Sequence, residues 1–254
     1  MMGAVPEYAI EVRDIRKAFG SVEALRGVSI SARPGEVTAI VGDNGAGKST
    51  LIKCISGVYS ADSGEIRIDG KLVHFTTPEE SRSFGIETVY QTLGLIEDLT
   101  IWQNLFLNRE KMKGVGFFRI LNKSAMRDEA ASMLRNLDVY IPSIKSRVRG
   151  LSGGQRQAVA ISRAAGWGSK VVIMDEPTAA LGVRETAKVE DLIQRMKGQG
   201  LAILLISHNF DQVLRLADHV WVMRQGNVMA GMRASDTSGD ELVALITGTS
   251  AGRK

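Results

Sequence analysis

The sequence predicts an α/β fold built on a mostly parallel sheet, with an antiparallel β element ahead of it and a helical subdomain over about residues 92–165. Three observations predict it. Short apolar runs at residues 37–41, 171–174 and 202–206 read as strands buried on both faces, as in a parallel sheet covered by helices. Segments of helical periodicity fall between them, so strand and helix alternate. The first run leads into Gly42-Asp43-Asn44-Gly45-Ala46-Gly47-Lys48-Ser49, and an amphipathic segment at 50–56 follows, which is the strand–loop–helix setting of a P-loop.

Taken in order, residues 8–12 alternate enough to read as a strand, and 24–32 alternate again through Leu25, Val28 and Ile30. Between them Phe19 lies in a short polar stretch, either as a core aromatic near a turn or as a flat face on which adenine can stack. Pro34-Gly35 turns the chain into the strand before the P-loop. After the P-loop helix, Ser63-Gly64 leads to a strand at 65–69, and Asp69-Gly70 reads as a hairpin turn into 71–75. Pro78 opens a short helix, and 86–90 is a strand with Gln91 at its end. From 91 to 152 the periodicity turns helical. Thr100 and Gln103 have capping-box spacing, 107–122 is basic and contains glycine, and 123–138 is an amphipathic helix. Leu151-Ser152-Gly153-Gly154-Gln155 opens a helix at 156–165. The strand at 171–174 ends in Asp175-Glu176-Pro177, a helix covers 184–197, and the strand at 202–206 ends in Ser207-His208. A helix at 209–216, a hairpin across Gln225-Gly226-Asn227 and a last helix capped by Ser238 complete the chain, which reads as one domain over 1–254.

The chemistry follows from the residue types. Glycines let the P-loop curl so that successive N–H groups face a phosphate chain, and the helix beginning near Lys48 adds its positive end. Lys48 is placed to reach the β- and γ-phosphates and the Ser49 hydroxyl to bind Mg²⁺. Parallel sheets present their chemistry at the carboxyl ends of their strands. Asp175 there can hold Mg²⁺ through water, and Glu176 can polarise an attacking water. Gln91 can bridge Mg²⁺ and that water, and His208 can donate to the γ-phosphate. Ser152 and Gln155 have the spacing of a capping box, but a cap does not account for Gly153 and Gly154, which cost helix stability. Glycines and a hydroxyl at a helix start also make an anion site. Two phosphate-binding surfaces in one chain suggest a nucleotide held between two copies.

Composition narrows the class. A charged fraction of 24% and an apolar fraction of 44% are ordinary for a soluble globular protein. No apolar run reaches the length of a membrane-spanning helix, and the N-terminus lacks the pattern of a secretory signal, so the cytoplasm is expected. The single cysteine, Cys54, cannot form an internal disulfide or a cysteine-rich zinc module and reads as a small buried residue. The net charge of +4 comes without a Lys/Arg block of five, so no nucleic-acid partner is expected; the charge reads as a solvated surface, also suited to lie near an anionic membrane face.

The P-loop, Gln91, Leu151–Gln155, residues 171–176 and His208 occur in the order and spacing of the ATP-binding-cassette (ABC) family, which the whole chain resembles. The resemblance implies a P-loop NTPase, RecA-like core. It also implies an ATPase that works as a head-to-tail dimer, each ATP lying between one subunit's P-loop and its partner's signature, Leu151–Gln155. Its nucleotide-binding positions here are Phe19, which would stack on adenine, and Gly42, Asn44, Gly45, Gly47, Lys48, Ser49 and Thr50, with Ser152, Gly154 and Gln155 acting across the dimer. Its catalytic positions are Glu176, His208, Gln91 and Lys48, and its Mg²⁺ ligands Ser49, Gln91 and Asp175. The stretches 87–91, 104–107 and 179–183 are similar to ATPase subunits of bacterial monosaccharide importers, most of all the single-cassette type associated with fructose. That implies a subunit peripheral on the inner membrane face, working with membrane permease subunits and, indirectly, an extracytoplasmic sugar-binding protein. Gly182 stands where the wider family usually has Asp after Ala-Leu, a departure shared with the sugar-import subset. The apolar residues Leu93, Ile96, Trp102, Phe106 and Phe117 are expected to form the surface that takes the permease's cytoplasmic helix.

Overall fold

The computed structural model describes residues 6–114 and 119–249. The chain opens with β1 (Ile10–Phe19), β2 (Val22–Ala32) and β3 (Val37–Gly42), followed by α1 (Lys48–Ile55), β4 (Ser63–Ile68), β5 (Lys71–Val73), α2 (Pro78–Ser83) and β6 (Ile86–Val89). A largely helical stretch follows, with α3 (Ile101–Leu105), the short strands β7 (Met112–Lys113) and β8 (Ile120–Leu121), α4 (Lys123–Asn136) and α5 (Gly153–Ala165). The chain then alternates through β9 (Val171–Asp175), α6 (Val183–Gly198), β10 (Ala202–Ile206) and α7 (Phe210–Leu216) before β11 (His219–Arg224), β12 (Asn227–Arg233) and α8 (Gly239–Thr247).

The central sheet has the order β12-β11-β3-β10-β9-β6. Its strands run parallel from β11 to β6, and β12 closes one edge antiparallel. Both faces of the parallel part are covered, which explains why its strands are continuous apolar runs. Val171 and Ile173 point toward one core, shared with α1 and the antiparallel sheet β2-β1-β4-β5, while Val172 and Met174 point toward the other, packed by α5 and α6. A third cluster holds the helical stretch together and joins α3, α4 and the start of α5. Capping chemistry sets several helix starts: Thr77 caps α2 with Pro78 in its first turn, Asn122 caps α4, and Thr100 forms a capping box with Gln103.

Three expectations need correction. Trp102 and Phe106 are not a docking surface. Trp102 is 6% exposed, and both pack with Leu105, Met126 and Leu134 in the third cluster. A five-residue helix is too short to reveal from its periodicity which face is buried. Of the other residues expected there, Ile96 is 45% exposed and Leu93 is half-buried, while Phe117 lies outside the described residues. The stretch read as helical also contains a two-stranded ribbon, in which Met112 pairs with Leu121 and Lys113 with Ile120. Strands of two residues carry no alternation to read. Finally, β1 runs on to Phe19 rather than ending near Val12, its pairing with β2 resuming after an irregularity at Asp14, whose left-handed backbone breaks the alternation that would have shown the continuation.

Candidate functional site

β3 is fully buried up to Val41 and delivers the chain to the loop Gly42–Ser49 at the carboxyl edge of the sheet. The loop's glycines answer to their neighbours. A Cβ on Gly42 would strike the Met223 carbonyl oxygen of β11, and one on Gly47 would lie 2.7 Å from the Ala24 carbonyl oxygen of β2. Gly47 is also left-handed, at φ 101, where it turns the chain into α1. The loop is therefore fixed from both sides before any ligand arrives. It borders an open cleft of about 670 Å³ lined by Asn44 through Thr50 together with residues of β2 and Gln225.

Lys48 bends back over the loop. Its Nζ donates to the carbonyl oxygens of Gly42 at 2.6 Å and Asp43 at 2.9 Å. Burial pushes its ammonium below the ordinary lysine value, and the carboxylates of Glu176, Asp43 and Asp175 pull it back. Asp43 belongs to the loop itself, whereas Asp175 and Glu176 come from the next strand but one. β10 lies between β3 and β9, and Asp175 is the last residue of β9. Burial and then Glu176 push the Asp175 carboxyl upward, against the pull of Lys48 and Lys53. Glu176 sits in the left-handed region at φ 51, with its N–H donating to the Ile206 carbonyl at 2.9 Å. That turn aims its half-buried side chain at His208, two residues beyond β10, whose Nδ1 is 2.8 Å from Glu176 Oε2. An ionised carboxylate only accepts, so a hydrogen bond between this pair needs the proton on Nδ1.

A buried amide braces this pair from behind. Gln212 on α7 is 0% exposed. Its Oε1 accepts from Thr178 Oγ1 and Ser207 Oγ, each at 3.1 Å, and its Nε2 donates to Glu190 at 3.1 Å. Thr178 lies two residues past Glu176 and Ser207 directly precedes His208, so one side chain ties both strand ends together. No motif marks it: a glutamine in a short amphipathic helix reads as a solvent-facing residue.

The remaining expected positions are spread more widely. Gln91 is exposed, two residues past the end of β6, and its side chain makes no hydrogen bond among the described residues. Phe19 ends β1, is 44% exposed and packs edge-on against Tyr59 with centroids 5.2 Å apart. It pairs in register with Val22, which lines the cleft, but Phe19 itself is not part of that lining. Ser152 and Gln155 form a full capping box: Ser152 Oγ accepts from the Gln155 N–H at 3.3 Å, and Gln155 Oε1 accepts from the Ser152 N–H at 3.0 Å. The two glycines, which the cap left unexplained, have a packing reason, since a Cβ on Gly154 would lie 2.9 Å from Glu185 Cγ of α6 and one on Gly153 3.3 Å from Leu181. Leu151 is buried in the third cluster and anchors the helix start. Ser152, Gly154 and Gln155 line a separate cavity of about 410 Å³ between α5 and α6, so the two phosphate-binding surfaces expected from sequence do not share a cleft within one chain.

This geometry can be set beside known proteins. The ABC transporter family model matches residues 25–179. The xylose/arabinose import ATP-binding protein of Sulfolobus acidocaldarius is 45% identical over 244 residues, covering 96% of each chain. The fructose import ATP-binding protein of Rhizobium meliloti is 46% identical over 246 residues, covering 95% of each. Among solved structures, the crystal structure of a nucleotide-free ATP-binding cassette from an ABC transporter superposes with a TM-score of 0.80 at 30% identity, covering 95% of each chain. With the phosphate loop, the carboxylate pair and the matching family in place, the chain belongs to the ABC transporter family and is one of its ATP-binding, ATP-hydrolysing cassettes.

Proposed function

We propose that this cassette powers the import of a monosaccharide, hydrolysing ATP at the inner face of the membrane while the sugar crosses through separate permease subunits. The observation that carries the ATPase part is the convergence of Lys48, Asp175, Glu176 and His208 at the carboxyl ends of neighbouring strands. The cargo rests on the two end-to-end relatives, both named for sugar import. Fructose stands beside the pentoses, since both relatives match about equally. The sugar itself is selected by the permease and an extracytoplasmic binding protein. Residues 1–254 act as one domain, with a helical subdomain over about 92–165. No helix among the described residues is long and apolar enough to cross a membrane, in keeping with a peripheral subunit. A net charge of +4 without a Lys/Arg block of five gives no reason to include nucleic acid among its partners.

In this reading, the N–H groups around Gly42, Asn44, Gly45, Gly47, Ser49 and Thr50 hold the phosphates. Lys48 exchanges its own loop's carbonyl oxygens for β- and γ-phosphate oxygens, and Phe19 offers its exposed face to adenine. Glu176 takes the proton of the attacking water on a carboxylate oxygen. His208 orients Glu176 through Nδ1–H and turns Nε2 to the γ-phosphate, where it donates only in the doubly protonated ring. Mg²⁺ suits the donors present: Ser49, Asp175 and Gln91 offer hard oxygens, and no group of three His, Cys, Asp or Glu among the described residues forms an all-protein cage. Bound there, it would neutralise charge on the β- and γ-phosphates. Ser152, Gly154 and Gln155 act on the partner copy's nucleotide in a two-fold dimer.

The test is reconstitution with the permease subunits in proteoliposomes, followed by uptake of labelled fructose, xylose, arabinose and ribose. ATP-dependent uptake of a monosaccharide, abolished by Lys48→Ala, is expected. Transport confined to a non-sugar solute would overturn the cargo assignment.

A further inference from the structure

The part of the cleft formed by β2 carries charged residues that no motif marks. Lys48 is one of three charged residues lining the cleft; the others are Glu23 and Arg26 of β2. Arg26 is held in place from its backbone outward. Its N–H donates to the Gly226 carbonyl at 2.8 Å, and the Gly226 N–H in turn donates to the Ala46 carbonyl of the P-loop at 3.0 Å. The packing is close enough that a Cβ on Gly226 would lie 3.3 Å from Arg26 Cγ. The neighbouring turn residue, Gln225, is itself in the left-handed region at φ 46 and also lines the cleft. β2, the P-loop and the β11–β12 turn are thus stitched together, and the Arg26 head group projects from a fixed stem.

That head group is only loosely engaged. Its Nε lies 3.6 Å from Glu23 Oε2, beyond hydrogen-bond range, with side chains 50% and 64% exposed. An exposed single-point pair of this kind contributes little in water. A guanidinium gains far more from a phosphate, which it can grip with two parallel N–H donors. This inference rests on the reading that ATP's phosphates occupy the cleft. We infer that Arg26 is a second cation for the polyphosphate, in the same cleft as Lys48, and that Glu23 competes with the phosphates for it. Glu23 then sets nucleotide affinity, holding Arg26 when phosphate is absent and yielding it when phosphate arrives.

The competition predicts opposite signs for two neighbouring substitutions. ATP dissociation constants are measured by displacement of a fluorescent ATP analogue, with melting temperatures taken alongside. Arg26→Gln should weaken ATP about tenfold, the scale of a lost charge-assisted hydrogen bond, and Arg26→Lys should recover part of that. Glu23→Gln should tighten ATP about threefold, and this gain should vanish in the Arg26→Gln background. A gain that persists without Arg26 would make Glu23 a plain background charge and overturn the competition. Should Arg26→Gln fail to fold, the Glu23→Gln arm decides alone, and an unchanged constant there overturns the inference. Lys48→Ala separates the two levels. If it binds ATP normally, the placement of the phosphates is wrong; if it loses ATP while the Arg26 and Glu23 variants bind as the parent does, only this inference falls.

Discussion

Gln212→Leu removes the buried amide that ties the strand ends carrying Glu176 and His208 together. The change keeps the side chain's bulk but deletes both accepted hydrogen bonds, from Thr178 and Ser207, and the one donated to Glu190. At about 1 kcal/mol per bond, with a further penalty for the buried Ser207 hydroxyl, the loss of stability should be on the order of 3–4 kcal/mol. The functional effect is separable. Releasing Thr178 and Ser207 lets Glu176 and His208 shift, and a displacement of about 1 Å at reacting groups costs on the order of a hundredfold in rate. The phosphate loop hangs from β3 and keeps its own braces, so ATP affinity should hold within about twofold. Urea unfolding, analogue binding and steady-state ATPase assays measure the three quantities. Gln212→Glu retains both acceptor positions while facing Glu190, so it should restore turnover more than stability. A folded Gln212→Leu protein with parental kcat, or one whose kcat and ATP affinity fall together, would refute the reasoning.

Other outcomes follow from the same structure. Trp102→Glu buries a charge among Phe106, Met126 and Leu134 and should destabilise the fold by more than about 3 kcal/mol in urea unfolding, whereas Ile96→Glu at the surface should leave melting temperature and basal ATPase unchanged while lowering reconstituted transport. Burial pushes the Cys54 thiol from 9.0 up to about 11, so the native protein should react with a thiol reagent at pH 8 roughly a hundredfold more slowly than the urea-unfolded chain. Because the folded value is the higher one, that contribution to stability is complete below pH 9.0 and is lost as the pH rises toward about 11, which urea midpoints across that range would register. In a Cys54→Ala background, Ser49→Cys and Ser152→Cys should crosslink between chains only, and only when ATP is bound; a crosslink within one chain would contradict the two-copy arrangement.

What could be read in advance followed from local rules. β9 and β10 announced themselves because both faces are covered, leaving no polar position to break the apolar run. The P-loop was legible because its glycines serve backbone geometry between a buried strand and a helix. The Thr100 and Ser152 capping boxes could be recognised because the partner is three residues away. The misses are contacts between distant parts of the chain. Trp102 is buried by α4 and α5, and Gln212 by Thr178, 34 residues earlier in the chain. Gly154 is pressed by α6 in a way its helix cap gives no hint of, and Arg26 is tied to the P-loop by way of Gly226 in the β11–β12 turn. Spacing along one element carries no information about such neighbours, and the roles of Gln212 and Arg26 rest entirely on them.

The most direct test of the account is Glu176→Gln, measured as release of labelled phosphate from saturating MgATP together with the ATP dissociation constant. The substitution keeps the side chain's size and its contact with His208 but removes the carboxylate proposed to accept the water's proton. Turnover should fall by about 10²–10⁴-fold, with ATP affinity unchanged within about threefold, and the ATP-bound protein should accumulate as a dimer in light scattering. Phosphate release at a rate near that of the parent would show that the base lies elsewhere and would contradict the assignment of the β9–β10 edge as the catalytic centre.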